Sequence, residues 1–465
     1  MTTNIHWFRR DFRITDNPSL HAAALQADRV VCVYILSSWS GSHRWTGPKR
    51  QEFLCGALAS LAANLEAIGG RLVIREGDPV HVLLGLAAEC GASAIHFNRD
   101  PDPFGRAVEQ RLADRAGRVV LVAHKGHAIH ERDEVLTGSG EPFRVFTPYS
   151  RAWAKLPKPA PLPKPRALNS PTSLPSLPLP GPEHWGLKSE GGVLAAGERA
   201  ARQRLTNFLN GPLQSYGDVR DIPSLPGTSR LSQDLRFGLV SAREVYSRVR
   251  QRANELDAIG RRHAEKFLSE IIWREFYFSI LWHWPEVLDQ EFDPKFRGMH
   301  WPGNLAGFDA WSRAETGYPI VDAAMRELLT TGFMHNRTRM ITAMFLTKDL
   351  LVDWRVGESF FLQKLVDGEI ASNNGGWQWS AGTGADAAPY FRIQNPWTQT
   401  SRYDPDGTYI RKWLPELRDV PAPLLAVQPP PGTRLAHNYP PPMVDHAQAR
   451  DRALEVFAAA KSSNS

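Results

Sequence analysis

An N-terminal α/β domain built on a doubly wound parallel sheet, followed by a mostly α-helical C-terminal domain, is the fold class this sequence predicts. Three observations predict it. Over the first 130 residues short β-rich runs alternate with helical ones, and from about residue 195 the apolar residues recur with the 3.6-residue helical period. Between the two lies a proline-rich stretch that suits neither element. The predicted strands are NIHWF, RVVCVYIL, RLVIREGD, SAIHFNRD and VVLVAHKG, separated by segments such as GPKRQEFLCGALASLAANLEAIGG that read as helix. Parallel neighbours need crossovers of that length, so the alternation implies a parallel sheet. No GxGxxG follows the first strand, which removes the dinucleotide fingerprint. Residues 156–182, LPKPAPLPKPRALNSPTSLPSLPLPGP, cannot be continuous helix or central strand and are expected to run over the surface. The expected division is an α/β domain at 1–130, a Pro-rich linker at 131–194 and a helical domain at 195–465. The helical part is read from GERAARQRLTNFLN, SAREVYSRVRQRANEL, RRHAEKFLSEIIWREFYFSILWHW, YPIVDAAMRELLTTG and MHNRTRMITAMFLTKDLL.

Composition narrows the function classes. A chain of 465 residues with 42% hydrophobic and 22% charged content can bury a large core, which excludes a disordered or fibrous protein. Cys32, Cys55 and Cys90 lack CxxC spacing, arguing against a disulfide framework or a zinc site, so a reducing, cytoplasmic setting is expected. The early charges of MTTNIHWFRRDFRITDN argue against a signal peptide, and no apolar run is long enough for a membrane span. The net charge of +6 suits a polyanionic partner, but four of the six excess charges fall within residues 151–200 and do not locate a binding face. Of 15 tryptophans, nine lie between residues 273 and 397, so either the core there is very aromatic or the indoles have work to do.

Four stretches could carry chemistry. YGDVRDIPSLPGTSRLS, residues 216–232, brings hydroxyls, arginines and a Pro-Gly turn together in a way that suits a phosphate or pyrophosphate; a capped loop between helices is the alternative. In SEIIWREFY, Glu270, Trp273, Arg274 and Tyr277 follow i, i+3, i+4, i+7 spacing, so one helical face carries a carboxylate, an indole, a guanidinium and a phenol, unless it is simply a helix interface. In GFMHNRTRM, Asn336, Arg339 and Met340 share a face while Arg337 points elsewhere; an amide beside a thioether could hold a base, or the Met could be plain packing. In DGEIASNNGGWQW, Asp367, Glu369, Asn373 and Asn374 precede Gly375 and Gly376, where missing side chains would let a planar ligand approach the backbone. Trp377 and Trp379 follow, two positions apart. On a helix they diverge by roughly 200°, whereas on a strand they share a face. No HExxH, Cys-His cluster or GxSxG accompanies these stretches, so no metal site is expected and hydrolase chemistry is disfavoured.

The ordered series WFRRDFRITDN, YGDVRDIPSLPGTSRLS, EIIWREFY, TGYPIVDAAMRELLTTGFMHNRTRMITAMFLTKDLL, VDGEIASNNGGWQW and GTGADAAPYFRIQNPWTQ resembles the photolyase/cryptochrome family, and within it the class I cyclobutane pyrimidine dimer (CPD) photolyases. The resemblance implies an antenna domain, a helical domain holding FAD in a U shape, and electron transfer from photoexcited reduced FAD to a flipped-out dimer in UV-damaged DNA. Carried over by position, Tyr216, Thr228, Ser229, Arg230, Leu231 and Ser232 resemble the phosphate cradle. Arg339 and Asp367 resemble the ion pair beside the isoalloxazine, Glu369 lies in the same strip, and Asn373 resembles the residue facing flavin N5. A neutral amide there fits the anionic reduced flavin, where an Asp, as in plant cryptochromes, would favour a protonated ring nitrogen. Trp377, Trp354 and Trp301 resemble an electron-hopping chain from flavin to surface, and Trp379 resembles the wall on which the dimer stacks. Glu270, Trp273, Asn336, Met340 and Trp379 are expected to line the dimer pocket, with Arg220, Arg274, Arg337 and Arg392 at phosphates or pocket edges.

Two departures and two rivals belong to the same reading. Phe267 stands where the family often has Trp, which removes an indole donor to FAD. FNRDPDPFGRAVEQ lacks the Asn-Glu pair of folate-binding relatives and, through Asp100, Gly105 and Arg106, is closer to deazaflavin-binding ones, so a second antenna chromophore would be a deazaflavin or methenyltetrahydrofolate. A cryptochrome-type signalling role and (6-4) photolyase activity are the rivals. Against them stand MHNRTRM in place of paired histidines, the retained Trp379 and the short end after NYPPPMVDHAQARDRALEVFAAAKSSNS. A monomer is expected.

Overall fold

The structure, a computed structural model, describes residues 1–41 and 43–463. Asn464 and Ser465, the end of the expected helical domain and of the short tail, lie outside the described residues. The chain divides into two compact units: Met1–His43, Gly47–Gln214 and Ser229–His283 form the first, and Arg44–Thr46, Ser215–Thr228 and the chain from Trp284 onward form the second.

The first unit holds a five-stranded sheet, β1 (Thr3–Phe8), β2 (Arg29–Leu36), β3 (Leu72–Glu76), β4 (Ala94–Asn98) and β5 (Val120–His124), in the order β3-β2-β1-β4-β5 with every pairing parallel. Each strand falls on a predicted run. The order reverses at β1, as a doubly wound sheet requires. The helices Pro18–Gln26, Pro79–Cys90 and Pro103–Arg115 start with proline in the first turn behind an Asn or Asp whose side chain accepts an otherwise unpaired N–H.

The compact units do not follow the boundaries at 130 and 194. The Pro-rich segment is pinned along the sheet: Leu168 N donates to Ile68 O at 2.7 Å, Leu177 N to Ile74 O at 3.0 Å, and Arg71 donates to Leu174 O at 2.8 Å. Helix Phe146–Lys155 lies within that stretch and buries Tyr149 and Trp153. Three helices read from sequence as part of the C-terminal domain belong to the first unit for a polar reason. Asp16 accepts from Arg243 Nη2 at 2.7 Å, Glu198 Oε2 accepts from Ile14 N at 2.9 Å, and Glu275 on helix Ala258–His283 accepts from Trp153 Nε1 at 2.6 Å. Buried carboxylates bind such partners strongly.

The second unit is helical and closes over an aromatic core that includes Trp311, Tyr318, Phe345, Trp354, Phe361 and Trp377. A π-helical turn, Phe345–Asp349, extends the Asn336–Met344 helix. Helix Trp354–Lys364 packs on helix Ile370–Ala381 through Gly357, where an added Cβ would lie 2.2 Å and 2.4 Å from Cη2 and Cζ3 of Trp377 and 2.7 Å from Leu346 Cδ2. Gly357→Ala is therefore expected to lower stability by about 1–3 kcal/mol through overpacking. A urea midpoint equal to the parent's would contradict that packing.

Candidate active site

In the second unit DGEIASNNGGWQW is helical from Ile370 to Ala381. Two steps on that helix separate the indoles: Trp377 is 2% exposed inside the core, while Trp379 is only half-buried on the other side. Trp354 is fully buried in the same aromatic cluster, and Trp301, half-buried, packs against its edge. Two of the candidate relay indoles thus belong to one apolar cluster and the third packs against it. Trp377 also meets Trp311 edge-on at 6.0 Å between ring centroids.

Polar groups at the start of the same helix are set by their neighbours. Arg339 Nη2 donates to Asp367 Oδ2 at 2.8 Å, and Arg339 Nε to the Met334 carbonyl at 2.7 Å, so the guanidinium is fixed while Asp367 is buried. Glu369 is buried and occupies the N-cap position of the helix, where its side chain makes no capping hydrogen bond. Asn373 donates its Nδ2 to the Glu358 carbonyl at 3.1 Å, which aims the amide so that Oδ1, an acceptor, is the atom it can offer a ligand N–H. A Cβ on Gly376 would meet nothing within 4 Å, so a flat ring can approach the backbone there. An orienting ion pair, an acceptor suited to a protonated flavin N5 and a side-chain-free approach fit an isoalloxazine.

Asn336, exposed, starts the helix Asn336–Met344 and Met340, half-buried, lies one turn on, as a surface that receives a base requires. Arg337 is committed elsewhere in the unit: Nη2 pairs with Asp221 Oδ2 at 3.0 Å and the guanidinium lies 4.5 Å over Tyr403. Asp221 is also 3.7 Å from Arg220 Nε, whose guanidinium lies 5.4 Å from the ring of buried Tyr216. That shared carboxylate neutralises half of the charge two predicted phosphate contacts would offer. Arg392 is exposed on a loop and Thr228 is half-buried.

The remaining candidates lie in the first unit. Arg230 has φ +53, a left-handed conformation unusual outside glycine, and its carbonyl accepts from Gln233 Nε2 at 2.5 Å; such backbone strain gathers at ligand clamps. Ser229 Oγ accepts from Leu231 N at 3.4 Å, Leu231 is buried and Ser232, exposed, opens the helix Ser232–Phe237. On helix Ala258–His283, Glu270 and Trp273 are half-buried, and Phe146 lies flat against Trp273 with 3.7 Å between centroids and 5° between planes. One face of that indole is therefore backed by protein. Arg274 turns inward, donating to the His127 carbonyl at 2.8 Å and the Leu235 carbonyl at 3.3 Å. Phe267 is buried. Of the antenna residues, Asp100 pairs with Arg9 at 3.0 Å and Arg10 at 3.2 Å, a Cβ on Gly105 would press on Asp100 at 2.3 Å, and Arg106 lies 3.5 Å over Trp282.

Sequence reasoning missed Phe146 and Glu358, neither of which sits in a quoted motif, and Asp221, which sits in YGDVRDIPSLPGTSRLS without any feature to single it out. Glu358 accepts from Asn374 Nδ2 at 3.0 Å, and burial pushes its carboxyl up from 4.5 to about 7, opposed by that hydrogen bond. Because the folded value is the higher one, this group's stabilisation is full below the unfolded value of 4.5 and is lost as pH rises through about 7. Glu358→Gln is expected to flatten the fall in thermal midpoint between about pH 5 and pH 8; an unchanged slope would contradict the assignment.

An α/β sheet unit and a helical, indole-rich unit with flavin-type polar groups define a photolyase-type flavoprotein. The family model for DNA photolyase matches residues 4–166 and that for the FAD binding domain of DNA photolyase matches residues 267–459. The deoxyribodipyrimidine photo-lyase of Agrobacterium fabrum is 39% identical over 98% of each chain. A bacterial class III photolyase from Agrobacterium tumefaciens superposes with a TM-score of 0.92 at 37% identity, covering 99% of this chain and 98% of that one. A Synechocystis cryptochrome follows at TM-score 0.88 and 27% identity, covering 98% and 99%. The chain belongs to the DNA photolyase family.

Proposed function

We propose that this protein is a light-dependent deoxyribodipyrimidine photolyase with FAD as its cofactor, splitting cyclobutane pyrimidine dimers in UV-damaged DNA. The observation that carries the proposal is the helix Ile370–Ala381, which buries Trp377 in an aromatic cluster, offers Trp379 outward and opens with the Asp367, Glu369 and Asn373 group. When bound and fully reduced, FAD supplies the electron that light drives into the dimer. Arg339 and Asp367 would hold the ring system, Asn373 Oδ1 would accept a hydrogen bond from it, and the resemblance assigns Tyr216 and residues 228–232 to its phosphates. Trp377, Trp354 and Trp301 deliver electrons inward to restore the reduced state. Trp379 stacks on the flipped dimer, which is worth about 1–3 kcal/mol per base, with Asn336 and Met340 of the same unit reading its edges; the resemblance assigns Glu270 and Trp273 to substrate as well. Arg392 and Arg220 contact phosphates without sequence preference, so affinity falls with salt. The protein works as a cytoplasmic monomer, and among the described residues no helix is long and apolar enough to cross a membrane. A deazaflavin or methenyltetrahydrofolate antenna belongs to the same proposal.

A cryptochrome role is the second reading, favoured by the Synechocystis likeness. Blue light on reduced protein with oligonucleotides bearing either a CPD or a (6-4) product separates the readings. Thymines restored from the CPD alone support the proposal; repair of neither supports signalling, and repair of the (6-4) product alone would replace the substrate.

A further inference from the structure

We infer that Glu291 is a positioning residue for electron supply: its carboxylate fixes the Trp354 indole, stabilises the positive charge left when that indole is oxidised, and accepts its Nε1 proton. The inference rests on the relay reading of Trp377, Trp354 and Trp301.

Trp354 Nε1 donates to Glu291 Oε1 at 3.2 Å, and the two residues are 0% and 1% exposed. The other two indoles differ, because among the described residues the buried Nε1 atoms of Trp377 and Trp301 have no hydrogen-bond partner. The middle indole of the relay thus has a built-in acceptor that its neighbours lack. The carboxylate is held rigidly: its second oxygen accepts from Arg355 Nη2 at 3.0 Å, and its backbone carbonyl accepts from Arg297 Nε at 3.1 Å. Arg355 is shared, with Nη1 reaching both Asp353 oxygens at 3.0 and 3.1 Å. Glu291, Arg355 and Asp353 therefore carry one net negative charge between them; the Arg355 guanidinium lies 4.7 Å over the Trp354 ring, and the Glu291 carboxylate at Nε1 offsets it when the ring becomes positive. In a poorly polarisable interior a charge at that distance is screened far less than in water.

The step balances as follows in atoms and electrons. Trp354 passes one electron to the Trp377 indole radical cation, which returns to its closed-shell form. The Nε1–H bond of Trp354 breaks and the proton binds Glu291 Oε1, leaving a neutral indolyl radical and a carboxylic acid. One electron from Trp301, or from an external one-electron reductant such as a thiol, together with the proton from Glu291, restores both groups. Backward electron transfer then requires the proton to return as well, so the separated charge lives longer. If the hydrogen bond served only to anchor the ring, a glutamine in the same place would do as well.

The test uses the full, flavin-loaded chain in the Trp301→Phe background, which removes the outer donor. Flash photolysis there is expected to show the absorption of a deprotonated indolyl radical. Adding Glu291→Gln is expected to abolish that band in favour of a shorter-lived protonated radical, and Glu291→Asp to restore part of it. In the dark, the ¹⁵N resonance of the Trp354 indole N–H should shift in the Gln variant. An unchanged deprotonated band and lifetime in Glu291→Gln would overturn the inference. Failure of the underlying relay reading is distinguishable, because Trp354→Phe in the otherwise unaltered chain would then photoreduce at the parent rate.

Discussion

Arg339→Ala is expected to yield protein that binds FAD poorly and unfolds at lower denaturant. Asp367 keeps its carboxylate buried with a side chain 2% exposed, and the guanidinium that meets it at 2.8 Å is removed. Stranding one member of a buried pair costs roughly 3–5 kcal/mol, and because Arg339 itself is a quarter exposed, about 2–3 kcal/mol is the expected loss here. Asp367→Asn in the same background should recover part of that stability, since the uncompensated charge disappears, without restoring flavin retention. Denaturant midpoints and the flavin absorbance per chain check both statements.

Trp354→Phe is expected to bring light-driven reduction of the oxidised protein close to zero. The substitution keeps an aromatic ring in a fully buried site but removes the electron-rich indole, and a phenyl ring is too hard to oxidise to pass the charge on. Trp354 sits three residues before Gly357, against which the Trp377 ring packs, so it occupies the helical turn next to the innermost donor. Steady illumination with an external reductant, followed by the flavin spectrum, reads the result.

Much of the architecture could be read from the residues alone, for reasons that are local. Parallel strands buried on both faces are nearly continuous apolar runs, and RVVCVYIL and SAIHFNRD cannot be mistaken for anything else. Asn-Pro, Asp-Pro and Asp-Pro pairs open three helices of the first unit, a local signal that the reading of the sequence did not use. What the sequence left open was decided by partners distant along the chain. Trp377 and Trp379 could have shared a strand face, and the helical backbone of NNGGWQW, with Gly357 packed on Trp377, settles that they do not. The helices Glu198–Asn210, Ala242–Glu255 and Ala258–His283 read as part of the C-terminal domain, yet Asp16, Glu198 and Glu275 tie them into the first unit through hydrogen bonds spanning more than a hundred residues. Arg274 and Arg337 looked available for phosphates in the sequence, where the His127 carbonyl and Asp221 that engage them are invisible. Glu291 and Glu358 lie in ordinary-looking segments, and only the fold brings them to Trp354 and Asn374.

The division of labour between two indoles on opposite sides of one helix is the centre of this account, and Trp377→Phe set against Trp379→Ala measures it most directly. Photoreduction and affinity for a CPD-bearing oligonucleotide are followed in both variants at one salt concentration. Trp377→Phe should lose photoreduction and bind the damaged strand as the parent does, whereas Trp379→Ala should photoreduce and bind about ten- to a hundredfold more weakly. Equal loss of both properties in both variants would contradict it.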